Sequence, residues 1–424
     1  MIALLAGCAL EAVEGACVPA WRADLGAEGA RWMARTGEAP DVALAFDATG
    51  ERLAVGTAVG DVLLFDVATG QLRASVAATP GLIRWLLWVG DDVVLGTQAA
   101  EAELQVRSGV DLAERKRVSG TELVGAGAAP GVDNPWAAYA APAAYDGAWT
   151  GDGLWVLWGH PGAAPRMRVV QYDAVTLTMK TLWPADGPSS EIGVALSADA
   201  NGASVAVRGG AAGDGVLLVD DAGVDVRTLI APLAPWYDRV TVWDAVVRQR
   251  QATWLGLADG RLVTSDGRSV ALGTPTMAGD VPVAAPIAWL MGDGDGALAV
   301  TSRTSVPYGS ASGVDRPADV HAAENHLWRL DASLAVQASW TGPPSLGRPI
   351  PLPDGGVVVG LGPRVGDART DLFGALFFDR RLRPVRFCPT IGPVDGAIAH
   401  SAEGDVAVVS SPTAGSAWEL AVFR

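Results

Sequence analysis

Histidine is scarce, with four residues in a chain of 424, yet two of them fall close together in Asp319-Val320-His321-Ala322-Ala323-Glu324-Asn325-His326. Imidazole nitrogens and carboxylates both bind divalent metals, so His321, Glu324 and His326, with Asp319 beside them, are the candidates for metal chemistry. Their spacing matches no metal motif, and an exposed polar loop accounts for the same residues. His160 and His400 stand alone. Asp293-Gly294-Asp295-Gly296 has the acidic start of a calcium loop, but it lies where a hairpin turn is expected. Gly309-Ser310-Ala311-Ser312-Gly313 puts Ala where a nucleophile elbow needs its Ser. Gly125-Ala126-Gly127 and Gly360-Leu361-Gly362 lack the third glycine and the strand-to-helix setting of a dinucleotide loop. The sequence contains no Walker loop, CxxC or HExxH. The expectation is no catalytic residue, no bound metal and no cofactor.

The elements that would position such residues are short strands. Hydrophobic residues make up 50% and charged residues 18%, which excludes a disordered chain. Mean hydropathy is +0.25, yet no run approaches the ~18 apolar residues of a spanning helix. Runs such as Ile83–Val89 stop at Gly or Asp after a few residues, as buried strands do. Trp85, Trp88, Trp155, Trp158 and Trp289 fall inside such strands, where packing explains them. The net charge of −16 repels phosphate backbones, so nucleic acid is not an expected partner. Arg115-Lys116-Arg117 and Arg380-Arg381-Leu382-Arg383 read as solvated turns.

A unit of strand, Asp/Gly turn and strand recurs along the chain, as in "ALAFDATGERLAVG", "WLLWVGDDVVLGT", "GVALSADANGASVAV" and "PIPLPDGGVVVG". A third strand ending in a turn former and a more polar fourth strand follow in most units. Four strands at a period of roughly 40–50 residues form the pattern of a β-propeller blade. Starts near 42, 83, 147, 192, 240, 286, 348 and 394 predict an all-β chain with a single propeller of about eight four-stranded blades. Seven is the alternative, if the weak unit at Val240 merges with a neighbour. The last unit runs out after three strands, and "ADLGAEGARWMART" is the spare segment that would close the ring.

With these units, the chain resembles the WD40, YVTN and quinoprotein-like propeller group over nearly everything after residue 20. Asp66-Val67-Ala68-Thr69-Gly70-Gln71 resembles the D-x-x-T-G-x turn of quinoprotein blades and stands in the first unit alone. Trp243-Asp244 is the one WD dipeptide.

Leu5-Ala6-Gly7-Cys8 resembles the lipobox of bacterial lipoproteins, which implies acylation of Cys8. The expected organisation is a signal remnant and tether over 1–17 and a propeller over 18–424. The expected location is the bacterial cell envelope, with a lipid anchor as the only membrane contact; secretion is the alternative. If Cys8 carries lipid, Cys17 and Cys388 are left as an even remainder in an exported protein, which predicts a disulfide. Ring closure would bring the two together. An eight-bladed propeller behind a lipobox also resembles, in outline, the propeller lipoproteins of outer-membrane assembly.

In a four-stranded meander, the first-to-second and third-to-fourth turns lie at one end, and the second-to-third loops and links between units lie at the other. The first end has tight turns only. The second receives the long segments at 119–146, 303–323 and 362–371. Long loops in compact domains are commonly functional. These carry Trp136, Tyr139, Tyr145, Tyr308, Arg316, Asp319, Arg364 and Arg369, the residue types an interface uses. The expected function is a binding or scaffold module for a protein or glycan at this face. The alternative is a lactonase-like hydrolase or lyase with its site at the channel mouth. The apolar inner-strand ends, "VALAF", "RWLLW", "GVALS" and "PIPLP", favour binding.

Overall fold

The computed structural model describes residues 17–25, 42–57, 59–127, 141–151, 153–160, 166–173, 175–190, 192–199, 202–208, 215–219, 225–229, 246–249, 252–256, 261–264, 269–271, 287–293, 296–302, 325–331, 335–342, 346–361, 373–392, 394, 397–410 and 418–424. After β1 (Trp21–Asp24) come β2 (Ala43–Phe46), β3 (Arg52–Gly56), β4 (Asp61–Asp66) and β5 (Leu72–Ala77), paired in that order in one antiparallel sheet. The pattern repeats in β6 (Leu82–Val89), β7 (Asp92–Gln98), β8 (Glu103–Ser108) and β9 (Glu114–Ser119). A short helix, α1 (Thr121–Val124), follows β9. Next come β10 (Ala143–Trp149), β11 (Leu154–His160), β12 (Arg166–Tyr172) and β13 (Met179–Trp183). One bridge, Ala143 opposite Gln98, joins these last two quartets into an eight-stranded sheet. A further sheet holds β14 (Ile192–Asp199), β15 (Gly202–Arg208), β16 (Gly215–Val219) and β17 (Asp225–Leu229).

The weak unit near Val240 does form a sheet, from β18 (Val246–Gln249), β19 (Ala252–Gly256), β20 (Arg261–Thr264) and β21 (Ser269–Ala271). It is followed by β22 (Ile287–Asp293), β23 (Gly296–Ser302), β24 (Asn325–Leu330) and β25 (Val336–Gly342). The sheet after that is β26 (Leu346–Pro351), β27 (Val357–Leu361), β28 (Gly374–Phe378) and β29 (Pro384–Pro389). The chain ends with β30 (Ile398–His400), β31 (Val406–Ser410) and β32 (Glu419–Phe423), and β1 pairs with β32 to complete that sheet. The chain divides into two compact units, Met1–Pro19 with Ala231–Ile398 and Ala20–Ile230 with Ala399–Arg424.

Second and third strands are covered on both faces, so they read as unbroken apolar runs rather than alternating ones. Ala54 and Leu64 of one sheet pack with Ile83 and Leu95 of the next. Leu104 packs with Val156 and Trp158, and Leu157 with Val205 and Leu217. In the other unit, Val300 and Leu327 pack with Val359 and Leu376. Fourth strands alternate toward solvent. Arg115 and Arg117 therefore lie on the exposed strand β9, not in a turn, and pair with Asp92 at 3.0 Å and Glu103 at 2.6 Å.

Among the described residues, four third-to-fourth turns share one device. The turn after β4 ends on Gly70 at φ 71°, whereas the equivalent residues elsewhere are Leu112, Leu177 and Leu382, at φ 60°, 52° and 56°. A left-handed leucine costs about 1–2 kcal/mol. All three are buried, and full burial of a leucine contributes about 1.5–3 kcal/mol, so burial wins. At Gly70 a Cβ would lie 2.7 Å from Trp21 Cγ, so β1 supplies the apolar plug from outside. The Trp21 indole stacks on Phe65 at 5.8 Å and donates to the Val67 carbonyl at 2.7 Å. The Asp–Thr bonding of the D-x-x-T turn is not confined to the first unit. Asp173 Oδ1 accepts the Thr176 amide and hydroxyl, each at 2.8 Å, as Asp66 Oδ1 accepts those of Thr69 at 2.9 Å.

The predicted disulfide is present. Cys17 and Cys388 are bonded, with Cα atoms 4.6 Å apart. Among the described residues, no helix is long and apolar enough to cross a membrane.

Candidate functional site

First strands pair along one edge, apart from the single Ala143–Gln98 bridge from β10 to β7, and several carry a β-bulge near their start. Ile83 faces Thr97 and Trp85 faces Gly96, which leaves Arg84 as the extra residue. In β10, Ala144 faces Trp158 and Asp146 faces Leu157, so Tyr145 is the extra residue. The shift recurs at Gly193/Ala195, at Ile287/Trp289 and at Leu346/Pro349. A bulge releases one side chain from the pleat's strict alternation and re-aims it.

In the unit holding residues 20–230, this brings Arg84 and Tyr145 together, with the guanidinium 5.6 Å from the ring centroid. Both residues are half-buried. Burial pushes the Tyr145 phenol up to about 12, more than the nearby Arg84 charge lowers it, so it stays neutral at physiological pH. The ring rests against β11, where a Cβ on Gly159 would lie 2.4 Å from Tyr145 Cε2. Next to it, Asp146 accepts the Gly147 amide at 2.9 Å and the Leu196 amide of β14 at 2.8 Å. Other first-strand groups are satisfied similarly. Trp85 Nε1 donates to the Ala144 carbonyl and Trp88 Nε1 to the Ala45 carbonyl, each at 2.9 Å. The tryptophans thus pack between sheets, as expected, and also cap a neighbouring strand's exposed backbone.

The long segment before β10 is rooted at the same end. Gly127 donates its amide to the Ala100 carbonyl at 2.9 Å, and Ala99 donates to the Pro142 carbonyl at 3.3 Å. His160, at the end of β11, brings Nδ1 to 3.2 Å from the Val124 carbonyl of α1. This isolated histidine anchors the root of the loop.

The opposite end is closed by arginine clamps. Arg52 pairs with Asp47 at 2.7 Å, reaches Asp91 at 3.2 Å and the Gly109 carbonyl at 3.1 Å, and lies 4.6 Å from the Trp88 ring centroid. In the other unit, Arg329 pairs with Asp293 at 2.6 Å and donates to the carbonyls of Gly355 and Arg380. Each clamp ties its own sheet's first turn to both turns of the next sheet.

No family model matches the chain, and no curated protein matches its sequence. Solved structures do match its fold. The C-terminal WD40 domain of Sif2 is 11% identical at a TM-score of 0.58, over 96% of this chain and 98% of that one. BamB from Moraxella catarrhalis is 12% identical at 0.53, over 97% and 98%. The computationally designed Ika8 protein is 14% identical at 0.55, over 90% and 96%. The chain has a β-propeller fold. At these identities the likeness is one of fold alone.

In propeller terms, Arg84 and Tyr145 occupy the first strands of adjacent blades. Of the interface candidates, Tyr145 alone lies among the described residues. It sits on strand β10 and is half-buried, which corrects its placement as an exposed loop aromatic: the strand begins at Ala143, inside the expected loop. Trp136, Tyr139, Tyr308, Arg316, Asp319, Arg364 and Arg369 lie outside the described residues, as do Cys8, His321 and Glu324. His326 is not in an exposed loop. It is a buried residue of β24, 2.9 Å from the Thr341 hydroxyl through Nδ1 and 5.5 Å from the Trp328 ring. Among the described residues, no group of three or more His, Cys, Asp or Glu could hold a metal. The tight-turn end is not wholly polar: Val110, Trp149 and Val175 are exposed there. Arg84 was legible only as a charge inside an apolar first strand. The bulge that re-aims it is set by cross-strand register, which one strand's sequence does not reveal.

Proposed function

We propose that the chain is an eight-bladed propeller closed by β1, tethered to a bacterial envelope through Cys8 or secreted, that binds a protein or glycan partner at its long-loop end. The observation that carries this reading is where the long segments arise. The 303–323 segment lies between β23 and β24, and the 362–371 segment between β27 and β28, both second-to-third connections. The 119–146 segment links one blade to the next, and it ends on the strand that carries Tyr145. Such loops on a rigid scaffold are the usual place for recognition. Closure is supported by the pairing of β1 with β32, by the Trp21 plug and by the Cys17–Cys388 bond.

Site-specific photo-crosslinking in cells tests the binding face. A photoreactive residue at 136, 308 or 364 is expected to capture one common partner, and the same residue at 110 or 175 is expected not to. Capture from the turn-end positions alone would place the site on the other face. Paired Cys17→Ser and Cys388→Ser substitutions are expected to cost about 2–5 kcal/mol, read by denaturant melts. Unchanged stability would remove the disulfide as a closing element. Labelled fatty acid incorporated into wild type and absent from Cys8→Ala is the expected mark of the tether.

A further inference from the structure

We propose that the loop end of the third blade holds a binding site for a phosphate-type oxyanion, built from His160, Arg166 and Arg168 against the Gly125-Ala126-Gly127 backbone. This goes beyond the partner-binding reading above and is tested on the purified chain alone.

Cross-strand register puts the three basic side chains on one face of one sheet. His160 lies directly opposite Arg166, and Trp158 directly opposite Arg168; residues so opposed share a face. On that face Trp158, Val170 and Tyr172 pack with Leu104 and Val106 of the preceding blade. The basic groups therefore stand at the loop end of the seam between the two blades, where α1 packs on β11 and β12. A Cβ on Gly125 would lie 2.8 Å from a terminal nitrogen of Arg166 and 4.0 Å from His160 Nδ1, so both groups flank one point. A Cβ on Gly127 would lie 3.2 Å from His160 Nε2. The two glycines leave the backbone bare where imidazole and guanidinium approach it.

Arg168 is the residue that packing does not explain. It is 8% exposed, it donates to the Pro184 carbonyl, and its Nε is buried without a partner. Burial pulls the guanidinium below its ordinary pKa. The blade scaffold does not require a cation here. Arg168 lies five residues before Asp173, and the places five residues before Asp66, Ser108 and Asp379 are Asp61, Glu103 and Gly374. A buried charge left unpaired costs stability, and an unsatisfied buried donor calls for a use.

Arg166 is exposed, His160 half-buried and Arg168 buried, a set graded from solvent inward. Glu101, Glu122 and Asp186 are exposed carboxylates of the neighbouring segments. Among the described residues, none of them pairs with the two arginines. The other basic cluster of this unit is built differently: Arg115 and Arg117 face Asp92, Glu103 and Glu114. Two permanent charges match a phosphate dianion, where one would suffice for a carboxylate, and planar forks beside an imidazole suit its several oxygens. The net charge of −16 does not forbid this. Charges beyond about 8 Å are largely screened at physiological salt, so near groups decide the affinity of a small ion, while a long polyanion still meets the acidic surface.

Inorganic phosphate, glycerol phosphate and acetate, titrated by calorimetry into the full chain, are the probes. Wild type is expected to bind phosphate, with acetate at least tenfold weaker, and phosphate is expected to raise the melting temperature. Arg166→Gln is expected to lose at least tenfold in phosphate affinity. Arg168→Gln is expected to lose as much while melting no lower than wild type in the absence of phosphate, because it removes an uncompensated buried charge. A residue that only packs would instead cost stability on substitution and leave binding alone. Arg115→Gln is expected to change nothing. Glycerol phosphate binding as well as phosphate would make the ligand a phosphate ester, and phosphate binding alone a free ion; both keep the site. Arg166, being exposed, keeps the test open should Arg168→Gln fail to fold. No phosphate binding by wild type, acetate binding as tightly as phosphate, or affinity within twofold of wild type in the folded arginine variants would overturn the proposal.

Discussion

Arg52 and Arg84 stand in the same compact unit, and each has an aromatic ring beneath its guanidinium, Trp88 at 4.6 Å and Tyr145 at 5.6 Å. They do different work. Arg52 is enclosed by two turn carboxylates and a turn carbonyl, all belonging to tight loops that every propeller unit needs. Arg84 sits at a bulge in a first strand, beside the root of a long segment. A cation on a ring is therefore not by itself a sign of function. What surrounds it differs: turn groups close around the Arg52 charge, whereas Arg84 is the extra residue of a strand bulge.

The comparison can be broken by removing the charges. The largest effect is expected for Arg52→Ala. It leaves Asp47, whose side chain is 1% exposed, without its cation, and stranding a buried charge in this way costs about 3 kcal/mol or more. Denaturant melts read it; a loss under about 1 kcal/mol would make the clamp ornamental. Arg329→Ala tests whether the other unit uses the same device. Its pair with Asp293 is somewhat more open, so a loss of about 2 kcal/mol is expected.

Acid sharpens the contrast. Burial alone would raise the Asp47 carboxyl, but the bonds it accepts from Arg52 and Thr49 outweigh burial and hold it below its ordinary value. A carboxyl lowered in the folded state contributes fully above its unfolded value and loses that contribution as pH falls through the folded one. The gap in stability between wild type and Arg52→Ala, read by melts, is expected to be largest at neutral pH and to narrow as pH falls through the acid range, because protonation removes the stranded Asp47 charge in the variant and the clamp's contribution in wild type. A gap that stays constant with pH would mean that the clamp does not set the Asp47 ionisation. A smaller effect on stability is expected for Arg84→Gln, because its contact with the Tyr145 ring is worth about 1 kcal/mol, whereas Arg52 holds the buried carboxylate of Asp47. A loss as large as that of Arg52→Ala would make Arg84 a structural clamp and erase the distinction.

The sequence by itself determined the repeat. Short apolar runs cut by Asp/Gly turns admit few folds other than four-stranded sheets stacked face to face, because a strand buried on both faces must be apolar throughout. It also left the last unit one strand short and, if Cys8 carries lipid, left Cys17 and Cys388 as a pair to bond. Both follow from counting strands and cysteines. The site was less legible. Arg84 read as one charge in an apolar strand, Tyr145 as part of a loop, and His326 as a polar loop residue although it is buried on a strand. Each error has the same cause: strand boundaries and bulges depend on which residues face each other across a ladder, and that register belongs to two strands at once. The leucines at 112, 177 and 382 make the point in the turns. Sequence reasoning looks for glycine where the backbone is left-handed, and only packing against the preceding sheet shows why leucine is kept there instead. Local propensity fixed which segments could be strands; tertiary burial decided which side chains broke the local rules.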